Sequence, residues 1–77
     1  NNQLDLLLMA EQQQALQQAI DLLPLLQKEA LLLQLEGFSL EDIASISGSP
    51  PETVKSRLRY ARASLSQALE LFYDHNK

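Results

Sequence analysis

Apolar residues recur at three- and four-residue spacing along nearly the whole chain, the mark of helices that each bury one face. Leu4, Leu7, Leu8, Ala15, Leu16, Ala19, Ile20 and Leu23 set this rhythm first and predict a helix over 4–21. Gln12, Gln13 and Gln14, then Gln17 and Gln18, give it a polar and mostly uncharged face. The glutamine run is too short and too well phased with leucine to be low-complexity sequence. Pro24 closes the segment and suits the first turn of the next helix, where a missing N–H costs nothing. A second helix is expected over 25–36, with Leu26, Ala30 and Leu33 on one face and Leu31, Leu32 and Leu35 around it. Its surface is unusually apolar. Gly37 is placed for the left-handed residue that ends a helix.

Ser39 then offers a capping hydroxyl with Asp42 three residues on, an approximate capping box, and Glu41 and Asp42 favour the positive end of a helix dipole. Leu40, Ile43, Ala44 and Ile46 are expected to point inward from a short third helix that ends near Ser47 and Gly48. Ser49 reads as the cap of a fourth helix, with Pro50 and Pro51 in its first turn. That helix is expected from Pro50 to Leu71 or slightly beyond. Phe72 and Tyr73 extend its apolar edge, and residues 74–77 read as a frayed end. The predicted class is all-α: four helices, tight connections and no strand.

A short helix, a turn containing glycine and a longer helix make a helix-turn-helix. Ala44 is small enough to let the two helices cross closely, and Gly48 permits the dihedral that the sharp turn needs. At about 100° per residue, Val54, Leu58, Ala61, Leu65, Ala68, Leu69 and Phe72 fall on one side of the fourth helix. Glu52, Ser56, Arg59 and Ala63 lie opposite. Lys55 and Arg62 flank one edge of that outer face, Thr53 and Tyr60 the other. Arg57 sits near the core boundary, its guanidinium snorkelling outward. This narrow basic face has the chemistry that reads a major groove: Arg and Lys donate to guanine O6 and N7, while small residues permit close approach. The N-terminal amides of the third and fourth helices are placed to meet phosphates.

Charge sharpens this picture. The net charge of −4 argues mildly against a nucleic-acid binder, but four of the six Lys and Arg lie between residues 55 and 62. Seventy-seven residues allow one small domain, taken as 1–77 with its core in 20–72. Absence of an initiator Met suggests a fragment of a longer protein. Leucine, alanine, glutamine and glutamate dominate, while aromatics make up 5%, which favours helix over sheet. Without cysteine there is no disulfide, iron–sulfur cluster or thiolate zinc site. The longest apolar runs fall far short of the roughly 18 residues a membrane span needs, and the expected location is the cytoplasm. No catalytic or metal site and no cofactor are expected. The single histidine, His75, has no evident nucleophile or metal partner, and two glycines make no phosphate loop.

Two blocks carry a family resemblance. Leu23-Pro24, Gln27 to Leu33 and Leu35 to Ala44 resemble the start of the C-terminal region-four domain of bacterial RNA polymerase sigma factors. Glu52-Thr53-Val54-Lys55-Ser56-Arg57-Leu58-Arg59-Tyr60-Ala61-Arg62 is similar to that family's most recognisable string. Paired across Ser47-Gly48-Ser49-Pro50, over roughly residues 20–70, they resemble the extracytoplasmic-function group. The resemblance implies a winged-helix-like four-helix arrangement without strands, which docks on the polymerase β-flap and reads the minus-35 promoter element. It also implies sequestration by an anti-sigma factor, and neither membrane insertion nor a small-molecule substrate. On this reading Lys55, Ser56 and Arg59 are base or near-base contacts, and Arg57 and Arg62 meet phosphates or give support. Glu52, Thr53 and Tyr60 complete the DNA-facing set.

Several positions depart from the family pattern. Glu52 stands where glycine is common, Tyr60 where arginine is common, and Gln34 where a basic phosphate-binding residue is frequent, which removes a contact. Leu25 and Leu26 are apolar where polar residues are usual. With Leu32 and Leu35 they form either a surface packed under the first helix or a docking surface for another protein. Two further readings stay open. One is a LuxR-type response-regulator output domain, whose fourth helix opens similarly but whose later string differs. The other is an interaction module that has lost DNA reading.

Overall fold

The computed structural model describes residues 2–75, which form four helices: α1 (Asn2–Asp21), α2 (Leu25–Leu35), α3 (Leu40–Ser47) and α4 (Pro51–His75). No strand occurs among the described residues, as the all-α reading expected. Each connection is short, and each is closed by local backbone chemistry. Pro24 is the N-cap of α2, one position before the first turn, and its carbonyl accepts the Lys28 N–H at 2.9 Å. At the other end Gly37 takes φ 102°. The Phe38 N–H bonds the Leu33 carbonyl at 3.1 Å and the Gly37 N–H bonds that of Gln34 at 3.0 Å. This paired closure satisfies two carbonyls that would otherwise be orphaned at the helix end.

The long helix α4 is the spine, and each of the other three packs against it. Ile20 and Leu23, Ala30 and Leu31, Ile43 and Ala44, and Val54, Leu58 and Ala61 form one core to which every helix or its flank contributes. Ile43, Val54 and Ala61 have no exposed surface. Leu16, Leu33, Leu40 and Leu65 pack partly buried around this centre. Gln12 Nε2 donates to the Tyr73 hydroxyl while Ile20 lies in the core with Ala61, so α1 runs antiparallel to α4.

Three expectations about burial change, and one about where a helix ends. The first half of α1 repeats the leucine rhythm of the second half, yet Leu4 and Leu7 are more than half exposed and Leu8 is 41% exposed. Among the described side chains of α1, Gln12 is the first to be even half-buried. The radius of gyration, 14.8 Å, accordingly exceeds the roughly 11–12 Å of a compact chain this long. On α2, Leu31 rather than Leu26 enters the core: the inward stripe is Gln27, Ala30, Leu31 and Gln34, with Leu26 half exposed. Gln27 Oε1 is buried there without a hydrogen-bond partner. On α3, Ile46 points outward, 54% exposed, and Ser47 takes the inner position. At the far end, α4 continues through Asp74 and His75 where fraying was expected. The side chain of His75, and residues 76 and 77, lie outside the described residues.

Candidate nucleic-acid interface

The helix-turn-helix is assembled by capping. The Ser39 hydroxyl accepts the Asp42 N–H at 3.1 Å, which fixes the start of α3. Gly48, left-handed at φ 67°, ends it, with the Ser49 N–H returning to the Ala44 carbonyl at 3.0 Å. The Ser47 hydroxyl folds back onto the Ile43 carbonyl at 2.8 Å. Pro50, not Ser49, is the cap of α4, because its carbonyl accepts the Thr53 and Val54 N–H groups at 3.0 and 3.2 Å. Pro51 then opens the helix, where its fixed φ is helical already. Ile43, Ala44 and Val54 are buried where α3 and α4 meet, so the small Ala44 stands at the crossing.

With Val54, Leu58 and Ala61 committed to the core, most of the outer face of α4 is solvent-facing, though Ser56, expected at its centre, is half-buried. Glu52, Lys55, Arg59, Tyr60 and Arg62 are exposed. Thr53, Ser56 and Arg57 are half-buried, which suits the boundary position expected for Arg57. Lys55 Nζ lies 3.8 Å from the Glu52 carboxylate, a pair that water screens on both sides. The Arg59 guanidinium sits 5.5 Å from the centre of the Tyr60 ring. Arg62 donates from Nη2 to Gln34 Oε1 on α2 at 2.8 Å. Lys55, Arg59 and Arg62 border a cleft of about 430 Å³ between α4 and the facing parts of α2 and α3. Leu58, Leu40 and Gln34 complete its lining. Glu41 and Asp42 occupy the first turn of α3, and Glu52 that of α4, so cationic character lies along the side of α4.

Residues 13–65, more than half of the chain, match the family described as "Sigma-70, region 4". The chain belongs to the region-4 family of sigma-70 factors. It is also 50% identical over 52 residues to the protein named "ECF RNA polymerase sigma factor EcfG" of Rhodopseudomonas palustris. That match covers 66% of this chain and 29% of the relative. No solved structure gives a significant match. The family assignment displaces the response-regulator reading.

The region-4 domain leaves a second surface uncovered. Leu25 (77% exposed), Leu26, Leu32 and Leu35 are all exposed, and none of them belongs to the buried core. Leu22 beside them is exposed as well. Sequence reasoning missed the partner of Gln34: the fold sets it against Arg62, 28 positions away in the chain. No local periodicity signals such a pair. No group of three His, Cys, Asp or Glu side chains among the described residues is arranged to hold a metal ion. Among the described residues no helix is long and apolar enough to cross a membrane.

Proposed function

We propose that this region-4 domain reads the minus-35 element of promoter DNA, as part of a sigma factor bound to RNA polymerase. The observation that carries the reading is the row of Lys55, Arg59 and Arg62 on the solvent face of the second helix of a helix-turn-helix, whose opposite face puts Val54, Leu58 and Ala61 in the core. A helix of this kind fits the major groove, where Arg and Lys donate to guanine edges. Lys55, Ser56 and Arg59 are assigned to bases or their immediate surroundings. Arg57 and Arg62 are assigned to phosphates, and Glu52, Thr53 and Tyr60 to the margins of the groove. Leu25, Leu26, Leu32 and Leu35 are assigned to docking, on the polymerase β-flap or on an anti-sigma factor, because a clustered exposed apolar surface favours protein contact.

Selection of duplexes from a random library, followed by measurement of affinity against salt, tests the DNA assignment. A reader of DNA yields a common sequence and loses affinity steeply with salt, with a slope of about 0.9 per phosphate neutralised. Recovery of no common sequence and a flat salt response would favour the second reading, an interaction module without DNA recognition. The net charge of −4 and the Glu52–Lys55 pair favour that second reading. Capture of the isolated β-flap by the domain, lost on changing Leu25 and Leu35 to Asp, tests the docking assignment.

A further inference from the structure

We infer that Gln34 is a positioning residue for DNA: it holds the Arg62 guanidinium across the cleft between α2 and α4, and offers its own amide to the same phosphodiester group. The inference rests on the DNA-binding reading above and deepens it. Its basis is the 2.8 Å hydrogen bond from Arg62 Nη2 to Gln34 Oε1, together with the cleft that the two residues share with Lys55 and Arg59.

Which way round the Gln34 amide sits follows from chemistry. Arginine has only donors, so the atom facing it must be the amide oxygen. The NH2 of Gln34 is thereby left for another acceptor, and among the described residues it makes no hydrogen bond. Arg62 uses one N–H on Gln34 and keeps the rest of its five-donor fork. Lys55, Arg59 and Arg62 stand at i, i+4 and i+7, so they rise from one side of α4 over the buried Leu58. A cation at position 34 would push the Arg62 guanidinium away. A neutral acceptor attracts it instead, and an arginine already held in place loses less rotamer freedom when it meets its ligand.

The ligand class is the phosphodiester backbone of duplex DNA. An oxygen anion at this cleft meets a fixed guanidinium, a neutral amide donor and two further cations without competing carboxylates in the lining. Contact of this kind is independent of sequence, so it sets the register of α4 on the duplex and leaves base reading to other residues.

The test uses the 77-residue chain and a duplex recovered by selection with it, alongside a scrambled duplex. Affinities of the native chain, Gln34→Leu, Arg62→Gln and the double variant are read by fluorescence anisotropy over a salt series. Circular dichroism at the same temperature confirms that each variant is folded. Gln34→Leu is expected to weaken binding about 3- to 10-fold, the worth of one such hydrogen bond, and equally on both duplexes. Arg62→Gln is expected to lower the salt slope by about 0.9. The double variant is expected to lose clearly less affinity than the product of the two single losses, because part of what Gln34 does passes through that arginine. Native affinity in Gln34→Leu, or losses that multiply in the double variant, would overturn the inference while leaving DNA reading intact. A native chain that binds no duplex removes the DNA reading itself, and this inference with it.

Discussion

Shortening Leu58 to alanine tests the packing on which the whole interface depends. Leu58 is 2% exposed and shares the core with Ile43 and Val54, both fully buried. The change removes three carbons, at about 0.8 kcal/mol each in transfer from water. It also leaves a cavity that three converging helices cannot easily close, which brings the expected loss to about 3 kcal/mol, inside the usual 2–5 kcal/mol range. A domain of 77 residues has about 4–12 kcal/mol of stability in all. The loss is therefore a large share of the total, and corresponds to a fall in Tm of about 12–24 °C. The same chemical change at Leu25, 77% exposed, is expected to fall within about 0.5 kcal/mol of native. Thermal and urea denaturation followed by far-ultraviolet circular dichroism measure both, with an unchanged urea slope showing that the unfolding reaction is the same. A loss below about 1 kcal/mol at Leu58, or an equal loss at Leu25, would falsify the packing described here.

Four further outcomes are expected. Gly48→Ala meets no steric clash, but it holds alanine at φ 67°, and is expected to cost about 1–2 kcal/mol in denaturation. Gln27→Leu removes a buried oxygen that has no partner and is expected to raise stability by about 1 kcal/mol; a lower Tm would mean that the amide is satisfied in solution. Arg59→Ala is expected to weaken binding to the selected duplex by about 1–3 kcal/mol and to the scrambled duplex much less, whereas equal losses would assign Arg59 to phosphate. Glu52→Gln frees Lys55 and removes a charge that repels phosphate, so affinity for both duplexes should rise. A fall confined to the selected duplex would show the carboxylate accepting from a cytosine.

The helix-turn-helix was legible because its determinants are local. Ser39 and Gly48 act within four residues of their own positions, and the two faces of α4 separate under a single angular rule. That rule placed Glu52, Arg59 and Ala63 outward, with Lys55, Arg62 and Tyr60 at the edges, and all six are exposed; Ser56 and Thr53, which it also put on this side, are half-buried. The cap of α4 moved from Ser49 to Pro50 because serine preference and proline geometry compete at adjacent positions, and the backbone settled on the proline carbonyl.

Sequence by itself determined the helical class, the helix ends to within a few residues and the basic face of α4, since each depends on residues within one or two turns of each other. Tertiary structure decided which of several equivalent leucines are buried. On α2, leucines surround the helix, so periodicity cannot choose between Leu26 and Leu31; the placement of α4 chose Leu31. On α1 one leucine rhythm covers the whole helix, yet only the part that runs alongside α4 loses its contact with water. The Gln34–Arg62 bond belongs to the same class of outcome, because it joins side chains on two helices whose relative position is fixed only when the shared core closes.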